Sequence, residues 1–277
     1  MLFNMEILIL LGLIALGAGA GVMGALFGLG GGVIFVPVLM LAFGMAPAEA
    51  AAVSLVGIVA GSVGASSVFV EKGLANIRLG LMLEVTTTIG AVAGALIAGY
   101  LQEWLLSLIF CAVMIYSGIR MILSPERVVE PNGNGGKMCF EYKDEASGEC
   151  ISYHVQNAGT GSLACVFAGM MSSMTGVGGG AIKVPVMNLI MHVPMKAASS
   201  TSSYMIGITA FSGAITYFFS GQLDLTFAGG VAIGAFIGAL LGTYLARKLD
   251  TKYIRRYFSV VLFFMATLVL LRVGGIL

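Results

Sequence analysis

The chain has 277 residues, of which 58% are hydrophobic and 10% are charged, and its mean hydropathy is +1.01. Soluble domains have about 45–50% apolar and about 25% charged residues, so this composition excludes an ordinary soluble protein. The net charge of +1 gives no basis for nucleic-acid binding. We therefore expect an all-α integral protein of the cell membrane that crosses the lipid bilayer several times.

Ten apolar segments follow one another along the chain. A helix needs about 20 apolar residues to span a bilayer. The segments are 5–27, 33–43, 50–70, 79–100, 104–123, 158–175, 180–191, 198–219, 226–246 and 254–275. The two short segments, 33–43 and 180–191, each follow a glycine cluster, so each is expected to form a glycine-broken helix pair with the segment before it. Re-entrant hairpins and full crossings both fit these lengths.

One long polar stretch, residues 124–157, divides the segments into two groups of five. Residues 137–144 and 149–155 alternate in polarity on either side of a turn-like sequence, which is typical of a β-hairpin. Four side chains would share the face that packs on the membrane domain: Phe140, Tyr142, Ile151 and Tyr153. The predicted parts are a first membrane repeat at 1–123, a loop with a β-hairpin at 124–157 and a second membrane repeat at 158–277.

An internal repeat relates the two groups of segments. The glycine clusters Gly28–Gly32 (GLGGG) and Gly176–Gly180 (GVGGG) are 148 residues apart. The same offset relates Pro37 to Pro185, Ser54 to Ser202, Gly73 to Gly221, Asn76 to Asp224, Gly90 to Gly238 and Gly94 to Gly242. This register indicates duplication. Because each half has an odd number of segments, the second half is expected to be inverted relative to the first.

The basic residues give an orientation for this repeat. If successive segments cross the bilayer in alternation, 12 of the 14 Lys and Arg residues fall on one side. They are Lys72, Arg78, Arg120, Arg127, Lys137, Lys143, Lys196, Arg247, Lys248, Lys252, Arg255 and Arg256. Arg272 falls on the other side, and Lys183 lies within a segment. Because basic loops stay in the cytoplasm, we expect both termini outside and the 124–157 loop inside.

A sequence motif occurs once in each half. Each glycine cluster opens the pattern G-x-G-G-G-x-x-x-V-P, and a segment of small and hydroxyl residues follows, 50–55 in one half and 198–203 in the other. Each half then has a G-x-x-x-G helix. The chain resembles the TauE/SafE family of sulfite-exporter-like membrane proteins over essentially the whole membrane part, with 124–157 outside the resemblance. The resemblance implies transport of small sulfur-containing or organic anions such as sulfite and sulfoacetate.

The glycine clusters are the predicted substrate site. Glycine lets the backbone approach a ligand closely, and the helix that begins after each cluster presents free N–H groups and a positive dipole end to an anion. Inversion would bring the clusters together, with the substrate between Gly28, Gly30, Gly31, Gly32, Gly176, Gly178, Gly179 and Gly180. Alternatively, they are only tight turns with close helix packing. Pro37 and Pro185 are expected to kink the short helices or to sharpen their unwinding.

Lys183 stands alone in an otherwise apolar segment, and its repeat counterpart is Phe35. A lysine at membrane depth costs roughly 2.5–3.5 kcal/mol on insertion scales. We expect it to be the counter-charge to an anion. The alternative is a side chain that reaches the outer interface and water.

Hydroxyl groups supply further candidate ligands. Ser54, Thr201 and Ser202 could donate hydrogen bonds to anion oxygens, although hydroxyls in membrane helices more often bond a backbone carbonyl or permit close packing. Asn76 and Asp224 occupy matching places after a glycine and are predicted to be helix N-caps.

Glu84 is the only carboxylate well inside a predicted segment. It could carry a coupling proton. The favoured alternative is a structural pair with Arg78, or an interfacial position. Coupling to H⁺ and coupling to Na⁺ are both compatible with the sequence.

A glycine stripe marks one face of the segment 226–246. Its members are Gly230, Gly234, Gly238 and Gly242. Such a stripe permits close helix contact. Packing within one protomer is favoured over the seam of a homodimer.

These features favour a secondary transporter, with a passive anion channel through the same site as the alternative. Ion-coupled accumulation against a gradient would separate the two. The sequence has no catalytic constellation, no cofactor motif and no metal-ligand spacing, so we expect neither an enzyme nor a metal site. The anion and the direction of transport stay open.

Overall fold

A computed structural model of the chain describes residues 2–123, 139–143, 150–248, 259–260 and 263–271. The first half contains α1 (Leu2–Phe27), α2 (Gly32–Phe43), α3 (Pro47–Glu71), α4 (Ile77–Ala98) and α5 (Glu103–Leu123). A hairpin follows, with β1 (Cys139–Lys143) and β2 (Cys150–His154). The second half contains α6 (Ala158–Thr175), α7 (Gly180–Pro185), a π-helical turn (Val186–Ile190), α8 (Met195–Phe219) and α9 (Leu225–Lys248). Residues 259–260 and 263–271 are also helical.

The helices match the apolar segments within a few residues, and the protein is a multi-pass membrane protein. Four helical stretches within the described part are long and apolar enough to cross a bilayer: Leu8–Phe27, Pro47–Glu71, Ile77–Ala98 and Leu225–Ala246. Large apolar side chains on α4, including Leu81, Val85 and Ile89, are exposed at four-residue intervals. Such a stripe is stable when it faces lipid rather than water. The last predicted segment, 254–275, lies only partly within the described residues.

Glycines set the closest helix contacts. A Cβ atom added at Gly238 of α9 would overlap the carbonyl oxygen of Ala18 in α1, and one added at Gly90 of α4 would overlap that of Val166 in α6. Only glycine lets these backbones approach so closely. The stripe on α9 therefore packs within the protomer, as the sequence favoured.

Helices of the two halves pack against each other in pairs. α9 of the second half packs along α1 of the first, and α4 of the first half packs along α6 of the second. The long helices α3 and α8 lie against each other between these pairs. Both have many fully buried small side chains, which include Ala50, Ala51, Ser54, Ala197 and Ser202. Membrane helices associate closely through small residues of this kind.

The β-hairpin docks on the membrane domain as predicted. In the antiparallel register Phe140 pairs with Tyr153 and Tyr142 pairs with Ile151, so these four side chains share one face. Tyr142 and Tyr153 are buried in one cluster with residues of α4. The Asn76 amide donates a hydrogen bond to the Tyr153 hydroxyl at 3.0 Å.

Both predicted helix caps are confirmed. The side-chain oxygen of Asn76 accepts a hydrogen bond from the backbone N–H of Leu79 at 3.0 Å, which caps α4. The carboxylate of Asp224 accepts from the N–H groups of Thr226 at 2.8 Å and Phe227 at 3.3 Å, which caps α9. Each cap satisfies N–H groups that the helix itself leaves unpaired. Asn76 therefore links the start of α4 to the hairpin.

Replacing Tyr153 by phenylalanine is expected to lower the free energy of unfolding by about 1 kcal/mol, because the Asn76 amide loses its acceptor. Burial raises the pKa of Tyr153, and the hydrogen bond from Asn76 partly offsets this. The docked hairpin is therefore stabilised below the ordinary tyrosine pKa of about 10, and this stabilisation is lost as the pH rises through the raised value. Unfolding measured against pH should show an alkaline decline that is smaller in Tyr153→Phe. Equal declines would contradict the assignment.

Candidate functional site

One glycine loop lies between the two helices of each broken pair. The backbone has positive φ at Gly28 (67°), Gly30 (78°) and Gly31 (82°), and equally at Gly176 (67°), Gly178 (90°) and Gly179 (69°). Side-chain-bearing residues rarely adopt this region, which explains the residue type at these six positions. The same conformation therefore recurs at the 148-residue offset.

The two loops contact each other. A Cβ atom added at Gly32 would overlap the carbonyl oxygen of Gly176, and one added at Gly180 would overlap that of Gly28. The prediction that the clusters approach each other is confirmed. Close packing of the loops, the alternative interpretation, is also a property of this arrangement.

The loops lie at the mid-level of the two central helices. A Cβ atom at Gly30 or at Gly178 would contact the side chains of both Ile58 and Ile206. Ile58 lies near the middle of α3, and Ile206 lies near the middle of α8. The glycine backbone is therefore enclosed by protein, as non-helical backbone in a membrane must be.

The predicted hydroxyl ligands hold the loops in place. Ser54 donates a hydrogen bond to the carbonyl oxygen of Gly176 at 2.6 Å, and Ser202 donates to that of Gly28 at 3.0 Å. Each serine thus anchors the loop of the other half, and all four residues obey the repeat offset. Thr201 instead accepts from the backbone N–H of Asn76 at 2.9 Å. A direct contact of these three side chains with substrate stays a prediction.

Ser54→Ala and Ser202→Ala are each expected to lower the free energy of unfolding by about 1–3 kcal/mol, because each leaves a buried loop carbonyl without its donor. Ser67→Ala on the exposed face of α3 is the matched control, with an expected change within about 0.5 kcal/mol. Thermal unfolding in detergent measures all three. Equal stability of the two buried variants and the control would show that the carbonyls do not depend on the serines.

Lys183 is fully buried in the second half. Its side chain is 0% exposed, so the interpretation that it reaches the outer interface is wrong. Its Nζ lies 3.4 Å from Glu84 Oε2 and donates a hydrogen bond to Thr209 Oγ1 at 2.5 Å. The Thr209 hydroxyl in turn donates to Glu84 Oε1 at 2.5 Å. The three side chains form one closed hydrogen-bonded cluster from α4, α7 and α8.

Glu84 has a structural partner, but not the predicted one. The favoured pairing with Arg78 is wrong, because Arg78 is exposed whereas Glu84 is 4% exposed and faces Lys183. Side chains six positions apart on a helix point to different faces, which is the physical reason. Among the residues whose side chains the structure describes, Glu84 and Lys183 are the only buried charged ones.

Two serines next to this cluster were not predicted as ligands. The hydroxyl oxygens of Ser172 and Ser173 are buried without a hydrogen-bond partner in the described part of the chain. Ser172 lies against Gly179, one helical turn before Lys183, and Ser173 lies against Gly213, one turn after Thr209. Buried hydroxyls are normally satisfied, so a water or a ligand is the expected partner.

The polar residues of this region have no polar counterparts at the 148-residue offset. At the 148-residue offset, Ser172, Ser173, Lys183 and Thr209 correspond to Gly24, Ala25, Phe35 and Gly61. Glu84 corresponds to Ala232. A comparison of the two halves at this offset could have identified the two serines, because each stands where the first half has a residue without a polar side chain.

Three of these counterparts, Gly24, Ala25 and Gly61, border a separate opening. A narrow cleft bordered by Gly61, Ser62 and Ser203 reaches Gly30. Ser62 donates to the carbonyl oxygen of Ser203 at 2.6 Å. The Ser203 hydroxyl has no partner within the described residues. The charged pair of Lys183 and Glu84 therefore lies beside the second glycine loop, and the cleft borders the first loop at Gly30.

Comparison with known proteins identifies the family. The family model described as "Sulfite exporter TauE/SafE" matches residues 13–269. The chain belongs to the TauE/SafE family.

The TauE/SafE relatives are described as membrane transporters. "Probable membrane transporter protein YunE" of Bacillus subtilis is 28% identical over 257 residues, which is 90% of this chain and 93% of that protein. A "Probable membrane transporter protein" of Haemophilus influenzae is 24% identical over 87% of this chain and 88% of its own length. "Probable membrane transporter protein YfcA" of Escherichia coli K12 is 31% identical over 35% of this chain and 36% of its own length. No solved structure gives a significant match.

Proposed function

We propose that this TauE/SafE protein is a secondary transporter that moves a small sulfur-containing or organic anion, sulfite, sulfoacetate or a similar one, across the cell membrane. The anion would bind between the loops Gly28–Gly32 and Gly176–Gly180, beside Lys183. The observation that carries the proposal is the fully buried Lys183 one turn beyond a loop whose neighbouring hydroxyls have no partner in the described chain. A charged residue at membrane depth marks a substrate or ion pathway.

Inverted repeats would give the site its two-sided access. The matching loop conformations, the serine anchors that cross between halves and the helix pairs formed between halves support a two-fold relation. With the charge distribution, they support both termini outside and the 124–157 loop in the cytoplasm. A tag on the N-terminus should be accessible to an impermeant label from outside intact cells. Labelling only after the membrane is opened would contradict this orientation.

The closed contact between the loops supports a transporter rather than a channel. The backbones of the two loops touch at Gly32 with Gly176 and at Gly180 with Gly28. A pore would need a continuous wet path through this point, whereas alternating access opens one side of the site at a time. The loops would then separate from one side and afterwards from the other.

Counterflow tests the proposal in proteoliposomes. Vesicles loaded with unlabelled sulfite are diluted into radiolabelled sulfite, and a parallel set uses sulfoacetate. A transporter gives saturable uptake that is accelerated by the same anion inside. Uptake without this acceleration would indicate a passive channel, and uptake equal to that of protein-free vesicles would contradict both.

A further inference from the structure

The charge of Lys183 is already neutralised in the structure. Nζ and Glu84 Oε2 are 3.4 Å apart, and their side chains are 0% and 5% exposed. An anion that approached this pair would bring an additional negative charge to a neutral, buried site. It would also compete with Glu84 for the same ammonium group. Lys183 can therefore act as a counter-charge only when Glu84 is neutral.

Protonation of Glu84 would release Lys183. A proton taken from water onto the carboxylate leaves the buried ammonium without its partner, and an anionic group bound at Nζ restores neutrality. Buried charges are tolerated only when they are paired, so the states with both ligands or with neither are favoured over a state with one. Proton and anion thus stabilise each other's binding, and this mutual effect is what coupling requires.

The surroundings of Glu84 favour this role. Lys183 from α7 faces it, and the buried thiol of Cys165 belongs to α6, which packs along α4. α8 contributes the Thr209 hydroxyl, and on α4 Thr88 donates to Glu84 Oε1 at 3.4 Å. Tyr204 of α8 packs against Gly80, one turn away. Glu84 is the only carboxylate among these groups.

The surroundings of Glu84 favour a proton over a sodium ion as the coupling ion. A sodium ion at Glu84 would lie close to the ammonium group of Lys183 and be repelled by it. A proton joins the carboxylate covalently and removes the charge that holds Lys183. The cluster therefore suits a proton. The unpartnered hydroxyls of Ser172 and Ser173 lie against Gly179 and Gly213, each one helical turn from a member of the cluster, and would donate to the anion.

We infer that Glu84 is the proton site of this transporter and that a proton travels with each anion, because Lys183 exchanges the Glu84 carboxylate for the substrate. The inference rests on the proposed function. It assigns Glu84 of α4, Lys183 of α7 and Thr209 of α8 to one coupling unit beside the second glycine loop. On the release side, loss of the proton lets Glu84 pair with Lys183 again and displaces the anion.

Proteoliposomes with an inward proton gradient test this inference. The probes are radiolabelled sulfoacetate and sulfite, with protein-free vesicles as the baseline. Wild type should accumulate the anion and acidify the interior, as reported by a trapped pH dye. Glu84→Gln, which imitates the neutral carboxyl group, should lose the accumulation and the acidification while any remaining exchange no longer depends on pH. Glu103→Gln, the same change at an exposed site on α5, should behave like wild type.

The outcomes separate the inference from the proposed function. Exchange by wild type without gradient-driven accumulation, or without acidification, would overturn the proton coupling alone. This outcome is read from wild type, so it does not depend on whether a variant folds. Accumulation that survives in Glu84→Gln would also overturn it. No exchange of either anion by wild type would overturn the proposed function and the coupling with it.

Discussion

Replacing Lys183 by methionine is expected to abolish anion transport and to lower the free energy of unfolding by about 3–5 kcal/mol, because Glu84 is left buried without its charge partner. Methionine retains most of the length and apolar volume of the lysine stem. The loss therefore reports the charge rather than a cavity. Counterflow of sulfite and thermal unfolding in detergent measure the two effects.

The matched control is the double variant Lys183→Met with Glu84→Gln. Removing both charges eliminates the unpaired carboxylate, so most of the lost stability should return. Transport should not return, since the counter-charge is still missing. A Lys183→Met protein with wild-type stability and transport would show that the ion pair matters for neither. A double variant with restored transport would remove Lys183 from the substrate site.

Placing a methyl group in the contact between the loops has the second large expected effect. Gly32→Ala and Gly180→Ala should each lower the free energy of unfolding by roughly 1–3 kcal/mol and stop transport, because the new Cβ overlaps a backbone carbonyl of the opposite loop. Backbone atoms cannot rotate away as a side chain can. The two loops must therefore separate, or the helix behind one of them must shift.

Gly229→Ala on α9 is the matched control for this pair. An added Cβ there has no heavy atom within 4 Å, and its backbone φ is not positive. Its stability should be unchanged or higher by about 0.5–1 kcal/mol, from the better helix propensity of alanine. Counterflow and thermal unfolding compare the three variants. Loop variants that transport sulfite like Gly229→Ala would contradict a functional contact between the loops.

Hydropathy and glycine pattern predicted most of the architecture. Helix bounds followed the apolar segments because a bilayer requires continuous apolar length, and the hairpin face followed from the period-2 alternation. The 148-residue offset predicted that the two glycine clusters have equivalent positions in the fold. Asn76 and Asp224 were readable as caps because capping is a local interaction.

The ion pair between distant parts of the chain could not be predicted from local sequence. Lys183 and Glu84 are 99 residues apart in the chain, and only the packing of α4, α7 and α8 brings them together. The prediction therefore assigned Lys183 to an anion, with the outer interface as the alternative, and favoured Arg78 or an interfacial position for Glu84. The unpartnered hydroxyls of Ser172 and Ser173 depend equally on tertiary contacts.

The two motif prolines, Pro37 and Pro185, have different effects on their helices although both follow the 148-residue offset. Pro37 lies inside the continuous helix α2, whereas α7 ends at Pro185 and a π-helical turn follows. Either outcome accommodates proline, which has no N–H to donate to the preceding helical turn. The prediction of unwinding holds for the second half only, the half that contains Lys183. Local sequence does not separate the two cases, because V-P occurs in both.

The central claim is that a small anion binds beside Lys183 between the glycine loops, and ligand-induced thermal stabilisation of the purified protein tests it most directly. The panel is sulfite, thiosulfate, sulfoacetate, taurine, sulfate, acetate and lactate, each with wild type and with the Lys183→Met, Glu84→Gln double variant. A ligand at about 100 times its dissociation constant adds about 2.7 kcal/mol, which the assay detects. We expect at least one sulfur-containing or organic anion to stabilise wild type and to leave the double variant unchanged. Equal stabilisation of both proteins, or of neither by any anion, would contradict the account.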